Sequence, residues 1–573
     1  MTWTNPKTWN IGDVLTAADM NTHVRDNTLH LFTRATSNFI NVKSDYGAVG
    51  NGVTNDLPVI QSAIDDCAAA GGGIVFFPAG TYLVNGSIII KDRVTLEGAG
   101  HRATWIKLGN AQNIPVIDTY VSPDNIISNA THTRIANLAL DGNVANQTVG
   151  TNAHGVRYNS SPTGAKATND WEFDTFHILE NVLIWKVKGN GVDGASRQSS
   201  QYKNVWVYYA DGYGFKPSYD TVLNGCVSGN TGLAGFFFGA SQIQATACKA
   251  FYAGRITGSL GHGFYFNATF DGIVLTNCIA QDNSASGFFF PVVTAGAVLS
   301  GCVADSNSVA SPGTYPAIDL WTSSNHRIEN FLSVDSLRRN GVTNQKNALR
   351  IRQASTGNYI SLTHFGMNGA TVLTPVVDGA GTDSQAGNTI IVNNEAGSQS
   401  IAYAAAITPD PYAGNTVVVG NLTGNITINN PSQGHYGSEL ELVLTQDATG
   451  GRTITWGGAY KTGAIPYLGP NQTMVIRFHY DRTNWVRTSL VVNNSTAPAA
   501  AAISVGASPY TYRNTDGWDQ MVVLSGGSVS KLEWSKDNST FYDVGATQAF
   551  PVTAGEYLKV TYSSAPTMTK VPR

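Results

Sequence analysis

Two aspartates hold the same position in a recurring Gly-apolar-x-apolar motif, Asp193 in Gly191–Gly194 and Asp319 in Ala317–Leu320. Two carboxyl groups can cleave a glycosidic bond when about 5–5.5 Å separates them, with retention, or about 6.5–9.5 Å, with inversion. Asp193 and Asp319 lie too many repeats apart to act together, so each needs a partner. Each acid could instead be a solvated or turn-forming residue. The candidate catalytic partners are Glu172, Asp174 and Asp220 for Asp193, and Asp305, Glu329 and Asp335 for Asp319.

In most other copies of this motif, the residue equivalent to the two aspartates is aromatic or basic. Three successive copies carry Phe237, Tyr265 and Phe289 at this position. Because alternate residues of a strand point to the same side, these rings are expected to form an outward row. Such a row can serve as a platform for the flat faces of pyranose rings. The predicted substrate-binding residues are Phe237, Tyr265, Phe289, Trp321, Arg157 and Arg350.

Elimination is the alternative to hydrolysis for cleaving a glycosidic bond. It requires a base that removes the proton beside a uronate carboxylate, and a cation that holds the carboxylate. The candidates are His262 and the segment Asn325-His326-Arg327. A histidine at a turn is more often only hydrogen-bonded there. We find no acidic cluster spaced for Ca²⁺, and no zinc signature, P-loop or Ser-His-Asp motif, so no metal or cofactor is predicted.

The composition excludes several classes of protein. The chain has 573 residues, of which 35 are Lys or Arg and 39 are Asp or Glu, so the net charge is -4. With 13% charged and 42% hydrophobic residues it is not a disordered protein. It lacks the basic excess that nucleic acid binding requires, and no apolar stretch is long enough to span a membrane. The first residues lack the features of a signal peptide, so we expect synthesis in a cytoplasm.

Two short motifs alternate between Asp45 and Asn394. One has the form apolar-x-Asn/Gly-x-x-small, as in Leu179–Ile184, and recurs every 21 to 30 residues from Val182 to Phe331. The other is the Gly-apolar-x-apolar motif. Alternation at such a period indicates the coils of a solenoid, and β-branched and aromatic residues bounded by Gly and Asn exclude helical repeats. The prediction is an all-β chain with a right-handed parallel β-helix of roughly fourteen coils.

The register of the motifs predicts the interior of this β-helix. In the second motif, Phe215, Phe236, Phe264 and Phe288 should form one inward stack, and Phe238, Phe266 and Phe290 another. In the first motif two apolar residues three apart can both face inward only if the Asn or Gly between them makes a left-handed corner. The same register makes Cys226, Cys248, Cys278 and Cys302 an inward ladder of small apolar residues.

An apolar row is predicted on the outside of the first motif. It needs a cover, which we expect to be a neighbouring subunit, the alternative being long loops that fold over it. The row comprises Leu183, Trp206, Val227, Ile279, Val303 and Leu332.

The chain divides into five predicted segments. Residues 1–38 form an N-terminal segment with a helix capped by Thr16, whose narrow apolar stripe packs either on copies of itself or on the next domain. Residues 39–396 are the β-helix, whose open end is covered by a helix that begins after Asn55 or Asp56. An antiparallel β-sandwich follows at 397–493, a linker at 494–502 and a small β domain at 503–573.

The run Asp45–Asp56, with Ile60–Ile64 and Gly72–Tyr82, resembles the entry segment of the pectate-lyase-like β-helix superfamily. That superfamily holds polysaccharide lyases, glycoside hydrolases and bacteriophage tailspikes. The segment "GDVLTAADMNTHVRDN" is similar to the virion-proximal part of phage tail fibres and tailspikes. The C-terminal modules also look like those of such proteins.

The resemblance implies a homotrimeric tailspike in the virion, attached through its N-terminus to tail or baseplate proteins. Its β-helix would bind a host cell-surface polysaccharide and depolymerise it, by hydrolysis rather than elimination. Two alternatives stay open: a tail fibre adhesin without catalysis, and a free polysaccharide lyase or glycoside hydrolase.

Overall fold

The computed structural model describes residues 7–28, 38–119, 130–148, 152–158, 176–194, 199–256, 258–267, 272–291, 295–336, 344–345, 347–352, 355–366, 376–378, 388–394, 398–411, 414–431, 438–481, 483–493 and 499–573. The chain forms two compact units, Met1–Tyr359 with Pro375–Gly387, and Ile360–Thr374 with Asn388–Arg573. The five predicted segment boundaries are finer than this division and stay predictions.

The first unit is a right-handed parallel β-helix, as predicted. Each coil passes through three faces. Face 1 is an eleven-stranded parallel sheet built from the Gly-apolar-x-apolar motif. Its strands are Ile88–Ile89, Ile117–Asp118, Val156–Arg157, Val192–Asp193, Phe215–Lys216, Phe236–Phe238, Phe264–Phe266, Phe288–Phe290, Ile318–Trp321, Leu349–Arg352 and Val376–Asp378.

Faces 2 and 3 are the two arms of the apolar-x-Asn/Gly motif, and both are parallel throughout. The strands of face 2 are Phe39–Asn41, Gly73–Phe77, Val94–Gly98, Arg134–Ala136, Ile178–Glu180, Gln201–Lys203, Val222–Asn224, Gln244–Thr246, Val274–Thr276 and Val298–Ser300. Those of face 3 are Asn51–Asn55, Gly80–Val84, Thr104–Leu108, Ala139–Asp141, Leu183–Val187, Trp206–Ala210, Val227–Thr231, Lys249–Phe251, Ile279–Gln281 and Val303–Asp305. Arg327–Asp335 spans both arms in one strand.

The predicted left-handed corner separates face 2 from face 3. Asn181, Asn204 and Asn277 adopt φ values of 53°, 50° and 54° there, and Gly225 one of 63°. The Asn204 side-chain amide donates to Asn181 Oδ1 at 3.3 Å, so neighbouring corners are also linked by side chains. Asparagine suits this position because its short polar side chain tolerates the left-handed backbone and bonds to the next coil.

The predicted phenylalanine stacks are confirmed. The rings of Phe215, Phe236, Phe264 and Phe288 follow each other at 4.8 to 4.9 Å and within 9° of parallel. All four are fully buried. Parallel strands place equivalent side chains directly above one another, so the coil spacing sets the ring spacing. In the second stack, the rings of Phe266 and Phe290 lie 4.1 Å apart.

The cysteine ladder is confirmed as well, since Cys226, Cys248, Cys278 and Cys302 have no exposed surface. The adjacent thiol of Cys248 and, to a smaller extent, burial raise the pKa of Cys278. Because the thiolate is the reactive form, we expect the native protein to resist thiol reagents. In a titration with an aromatic disulfide, fewer than one of the five cysteines should react before denaturation and all five after it. Rapid labelling of several thiols in the native state would contradict the ladder.

One helical segment precedes the β-helix, and a second helix follows its first two strands, Phe39–Asn41 and Asn51–Asn55. Ala17–Asp19 is an α-helix that continues as the π-helix Met20–Asp26. The predicted cap is confirmed, because Thr16 Oγ1 accepts from the Asp19 amide at 3.1 Å. Two residues of the predicted apolar stripe, Met20 and Val24, are exposed, as is Leu15 just before the cap, and the third stripe residue, Leu31, lies outside the described residues. The second helix, Leu57–Ala69, buries Ile60, Ala63, Ile64 and Cys67 over the open end of the β-helix.

The strand Tyr359–Gly366 leads into the second unit, which begins at Ile360 and also contains the strand Thr389–Asn394. A six-stranded and a three-stranded sheet then enclose one core. The six strands are Ser398–Ile401, Thr416–Leu422, Glu439–Gln446, Thr473–Tyr480, Trp485–Asn493 and Tyr460–Lys461, and the three are Ala406–Ile407, Ile426–Ile428 and Ile454–Trp456.

The prediction of a purely antiparallel sandwich for residues 397–493 was wrong. The strands that begin at Ser398, Thr416 and Glu439 pair in parallel, as do Tyr460–Lys461 with Trp485–Asn493 and all strands of the three-stranded sheet. Only Thr473–Tyr480 pairs antiparallel, with a neighbour on each side. Alternating apolar residues indicate a strand but not its direction, which the connections decide. Two four-stranded antiparallel sheets complete the unit: Ala501–Ile503, Gln520–Ser525, Ala549–Val552 and Thr567–Pro572, and Tyr510–Arg513, Ser528–Ser535, Tyr542–Asp543 and Tyr557–Ser564.

Candidate functional site

The outward row of face 1 runs as the sequence predicted. Strand pairing places Arg157 beside Asp193, Asp193 beside Lys216, Phe237 beside Tyr265, Phe289 beside Asp319, and Asp319 beside Arg350. The rings of Phe237 and Tyr265 are stacked 5.3 Å apart, and those of Tyr265 and Phe289 meet edge to face at 5.4 Å. Face 1 therefore carries an aromatic strip with a charged cluster at either end.

The first charged cluster surrounds Asp193, whose side chain is nearly buried. The Asn190 amide donates to Asp193 Oδ2 at 2.8 Å, and Lys216 Nζ lies 3.5 Å from the same oxygen. One coil away, Arg157 forms a bidentate ion pair with Asp118. Carboxylates and cations thus alternate along four consecutive coils, in the order Asp118, Arg157, Asp193 and Lys216.

His154 completes this cluster. Its Nδ1 accepts from the Asn190 backbone amide at 2.9 Å, which places the ring proton on Nε2, 3.6 Å from Asp193 Oδ2. Burial lowers the pKa of His154 to about 4. Asn190 therefore fixes both the histidine tautomer and the aspartate, and the imidazole is neutral at physiological pH. The neutral imidazole positions Asp193 rather than competing with Lys216 for it.

Of the three predicted catalytic partners of Asp193, the structure describes only Asp220. Glu172 and Asp174 lie outside the described residues. Asp220 is an exposed turn residue with φ of 55°, and it lies three residues after Pro217, which follows the face 1 strand Phe215–Lys216. Asp118, which the sequence analysis missed, lies two coils from Asp193, about 10 Å at strand spacing. Its strand has the same apolar-acid pattern as Val192-Asp193, but without the preceding glycine that defined the motif.

The second charged cluster is centred on Asp319, which has no exposed surface. Both of its oxygens accept from Arg350 and from Arg352, so two guanidinium groups cover it. The Arg352 guanidinium also lies 4.8 Å from the ring of Trp321, which is exposed. In this arrangement Asp319 holds two cations in place on face 1. Arg352 was missed, although it stands two residues from Arg350 on the same side of the strand.

The three acids proposed as partners of Asp319 are on other faces. Glu329 lies on face 2 and pairs with Arg327. Asp305 and Asp335 lie at the end of face 3, where Asp305 accepts from the Ser336 amide at 3.0 Å and Asp335 from the Gln345 amide at 3.1 Å. The structure does not bring these three carboxylates into the outward row of face 1.

The two candidate histidines are both buried. His262 stacks on Phe289 with ring centroids 4.1 Å apart, and burial lowers its pKa to about 3. His326 points into the core beside Phe290, and its Nδ1 accepts from the Ala297 amide at 3.1 Å. His326 is therefore a packed and hydrogen-bonded corner residue, which is the alternative to a catalytic base that the sequence left open. Within the described ranges, no group of three or more His, Cys, Asp or Glu side chains could hold a metal ion.

Two family models match the chain. Residues 39–289 match rhamnogalacturonase A/epimerase, pectate lyase-like. The β-helix is therefore of the pectate-lyase-like kind. Residues 407–485 match the putative phage tail fibre C-terminal domain. The first match lies within the β-helix and the second within the second unit. No helix in the described part of the chain is long and apolar enough to cross a membrane.

The relatives by sequence include two Azotobacter vinelandii proteins. Mannuronan C5-epimerase AlgE6 is 33% identical over 209 residues, which are 34% of this chain and 20% of that protein. Alginate lyase 7 is 40% identical over 114 residues, which are 18% of this chain and 13% of that protein. The chain therefore spans only a fifth or less of the length of these two relatives.

Solved structures give a likeness of fold. The A-module of Azotobacter vinelandii mannuronan C-5 epimerase AlgE4 is 20% identical with a TM-score of 0.43, covering 62% of this chain and 97% of that one. Full-length tailspike protein 2 of an Escherichia coli O157:H7 bacteriophage is 12% identical with a TM-score of 0.47, covering 92% and 70%. Geobacillus virus E2 ORF18 is 17% identical with a TM-score of 0.41, covering 95% and 92%.

Proposed function

We propose that this chain is a tailspike-type receptor-binding protein whose β-helix binds a host cell-surface polysaccharide along face 1. The observation that carries the proposal is the outward strip of Phe237, Tyr265 and Phe289, flanked by charged clusters on the same row. Phe237 and Tyr265 are half-buried and offer their rings to a ligand, whereas Phe289 is only 9% exposed because His262 stacks on it. Successive rings rise by one coil, so an extended sugar chain can lie along the strip with its rings against the aromatic side chains.

The charges at the two ends of the strip favour an acidic polysaccharide. On one side of the strip Lys216 and Arg157 are balanced by Asp193 and Asp118, and on the other side Arg350 and Arg352 exceed Asp319 by one positive charge. The Lys216 side chain is 39% exposed, which leaves its ammonium group accessible to a ligand. Guanidinium and ammonium groups bind carboxylates by charge-assisted hydrogen bonds. The names of the epimerase and lyase relatives, which refer to uronate polymers, agree with this choice.

The remaining parts of the chain are assigned in the same proposal. The tail fibre C-terminal domain supports a place in the phage tail. The N-terminal segment attaches the protein to tail or baseplate proteins, and the chain acts as a homotrimer in the virion. The exposed side chains of Met20 and Val24, four residues apart on the same helical segment, support self-association, because exposed apolar side chains at helical spacing need a partner.

Removing aromatic rings from the strip tests polysaccharide binding. Phe237→Ala and Tyr265→Ala should each weaken binding of the host envelope polysaccharide about tenfold, because each deletes one stacking surface. The measurement is a titration of the full chain with polysaccharide purified from the host envelope. Tyr542→Ala, at an exposed tyrosine of the second unit, is the matched control. Unchanged affinity in both strip variants would refute face 1 as the binding surface.

Depolymerisation at the first charged cluster is a second proposal. Asp193 and Asp118 are the two carboxylates closest to the spacing of an inverting hydrolase on face 1, and Lys216 and Arg157 lie beside them. Asp193→Asn should then abolish release of reducing ends, while binding of the polysaccharide persists. An unsaturated sugar at the new end would instead indicate elimination. If the unmodified protein binds the host polysaccharide and releases no oligosaccharide, the chain is a tail fibre adhesin.

A further inference from the structure

A hollow of about 460 Å³ lies on the outside of face 3, on another side of the β-helix from the aromatic strip. This volume is within the range of small-molecule binding sites, about 300–1,000 Å³. Three tryptophans, Trp105, Trp185 and Trp206, line it together with Tyr208, Leu183 and the segment His101-Arg102. Neither the catalytic proposals nor the aromatic strip makes use of these residues.

The coils determine the shape of the hollow. Trp105, Ala139, Leu183 and Trp206 occupy one outward row on consecutive coils. The two tryptophans are thus three coils apart, about 14 Å, with smaller side chains between them. They form the two end walls, and Leu183 forms part of the floor. The depression is therefore long in the direction of the β-helix axis.

Two further features form the sides of the hollow. On one side, the rings of Trp185 and Tyr208 meet edge to face at 6.1 Å. On the other side, the corner segment between Val94–Gly98 and Thr104–Leu108 brings the ring of His101 to 5.0 Å from Trp206. This segment covers part of the apolar row that was predicted to be a subunit interface. The half-buried state of Leu183 and Trp206 follows from that cover.

Two cations border the hollow, Arg102 and Lys186, and one acid, Asp141, pairs with Trp185 in the strand register. Arg102 is exposed and forms no ion pair with any acid in the described part of the chain. Lys186 extends over Trp185, with Nζ 5.6 Å from the ring centroid. Flat indole faces suit the apolar faces of pyranose rings, and cations beside them suit carboxylates at the edges of those rings. An elongated, aromatic and cationic hollow fits a short acidic oligosaccharide better than a neutral apolar molecule.

We propose that the hollow between Trp105 and Trp206 is a second saccharide-binding site, for two or three rings of an acidic polysaccharide. The proposal rests on the proposed function in that both sites take acidic glycans, but it concerns a different face of the β-helix. A chain with two such sites can bind one segment of a polysaccharide in the hollow while the aromatic strip on face 1 binds another segment of the same polymer. Linking two weak sites in this way raises the overall affinity for a polymer without any new contact.

The test uses short probes that cannot span both faces. The full-length protein is titrated calorimetrically with trimannuronate and trigalacturonate as acidic probes, and with maltotriose as the neutral control. The wild type should bind at least one acidic trisaccharide, and maltotriose at least about tenfold more weakly. Trp206→Ala and Arg102→Gln should each reduce the affinity of the hollow about tenfold or more. Arg93→Gln removes an exposed arginine elsewhere and should leave binding unchanged.

The variants also separate this proposal from the one for face 1. If Phe237→Ala abolishes all trisaccharide binding while Trp206→Ala and Arg102→Gln change nothing, the second site is refuted and face 1 stands. If the hollow variants lose the probe and Phe237→Ala leaves binding of the host polysaccharide intact, the second site stands and face 1 fails. Equal binding of maltotriose, absence of binding by the wild type, or a changed oligomeric state in Arg102→Gln would each overturn the proposal for the hollow.

Discussion

Phe264→Ala is expected to lower the free energy of unfolding by about 3–5 kcal/mol. The ring of Phe264 lies between those of Phe236 and Phe288, 4.9 Å from each and nearly parallel to both. It has no exposed surface. Alanine would leave a gap that the neighbouring coils cannot close, because their backbones are fixed by strand pairing on all three faces.

The outward neighbour provides a matched comparison. Phe237 belongs to the adjacent coil of the same face but is only half-buried and points away from the core. Phe237→Ala should therefore cost about 1 kcal/mol or less. The measurement is denaturant unfolding of both variants, followed by circular dichroism and fluorescence. If the two variants lose equal stability, the inward stack does not carry the stabilisation that its geometry indicates.

The phenylalanine stack was predictable because local and global constraints coincide there. A period of two fixes which residues face inward, and parallel pairing places Phe215 over Phe236 without any further choice. The corners were predictable for a similar reason, since an Asn or Gly between two inward residues admits only one backbone conformation. In residues 397–493 the strands were recognisable but their directions were not. Alternation is the same in parallel and antiparallel strands.

The candidate site was predictable only in part. The outward row follows from the same register, so Asp193, Phe237 and Arg350 were placed on one line from sequence alone. The partners of each charge depend on neighbouring coils of variable length, and the motif boundaries hid Asp118. The burial of Asp319 under Arg350 and Arg352 was not foreseen either, because two long side chains cover a short one. The spacing of the motifs in the sequence predicts which residues share a row, but not which long side chains cover a shorter neighbour.

The face 3 row shows a further limit of the same kind. Its apolar residues were correctly placed on the outside, but the corner segment that carries His101 and Arg102 lies three coils away from Trp206 in the stack. The contact between His101 and Trp206 runs along the axis of the β-helix and joins residues about a hundred positions apart in the sequence. Only the coordinates show that such a loop converts a flat apolar row into a hollow.

Acidification from pH 7 to pH 4.5 is expected to destabilise the first unit by several kcal/mol. Burial lowers the pKa of His154 to about 4, of His262 to about 3 and of His326 to about 4, from an ordinary value of 6.5. All three are neutral in the folded protein and become protonated on unfolding below pH 6.5. The unfolded state then binds more protons, so stability falls as the pH falls.

His326 allows the size and the window of this effect to be worked out. Its pKa differs between the unfolded and the folded state by the interval from 6.5 to about 4, and burial alone is the cause. At about 1.4 kcal/mol per pH unit, this single residue contributes roughly 3 kcal/mol that is present above pH 6.5. That contribution is lost progressively between pH 6.5 and pH 4 and does not change further below pH 4.

The measurement is the free energy of unfolding at several pH values between 7 and 4 for the parent protein and two variants. His326→Asn keeps an acceptor for the Ala297 amide but removes the titrating ring, so its stability should fall less steeply with acid. Phe290→Leu disturbs the neighbouring packing without removing a proton site, so it should be less stable at every pH with the parent's slope. A parent slope that His326→Asn leaves unchanged would show that this histidine is not kept neutral by the core.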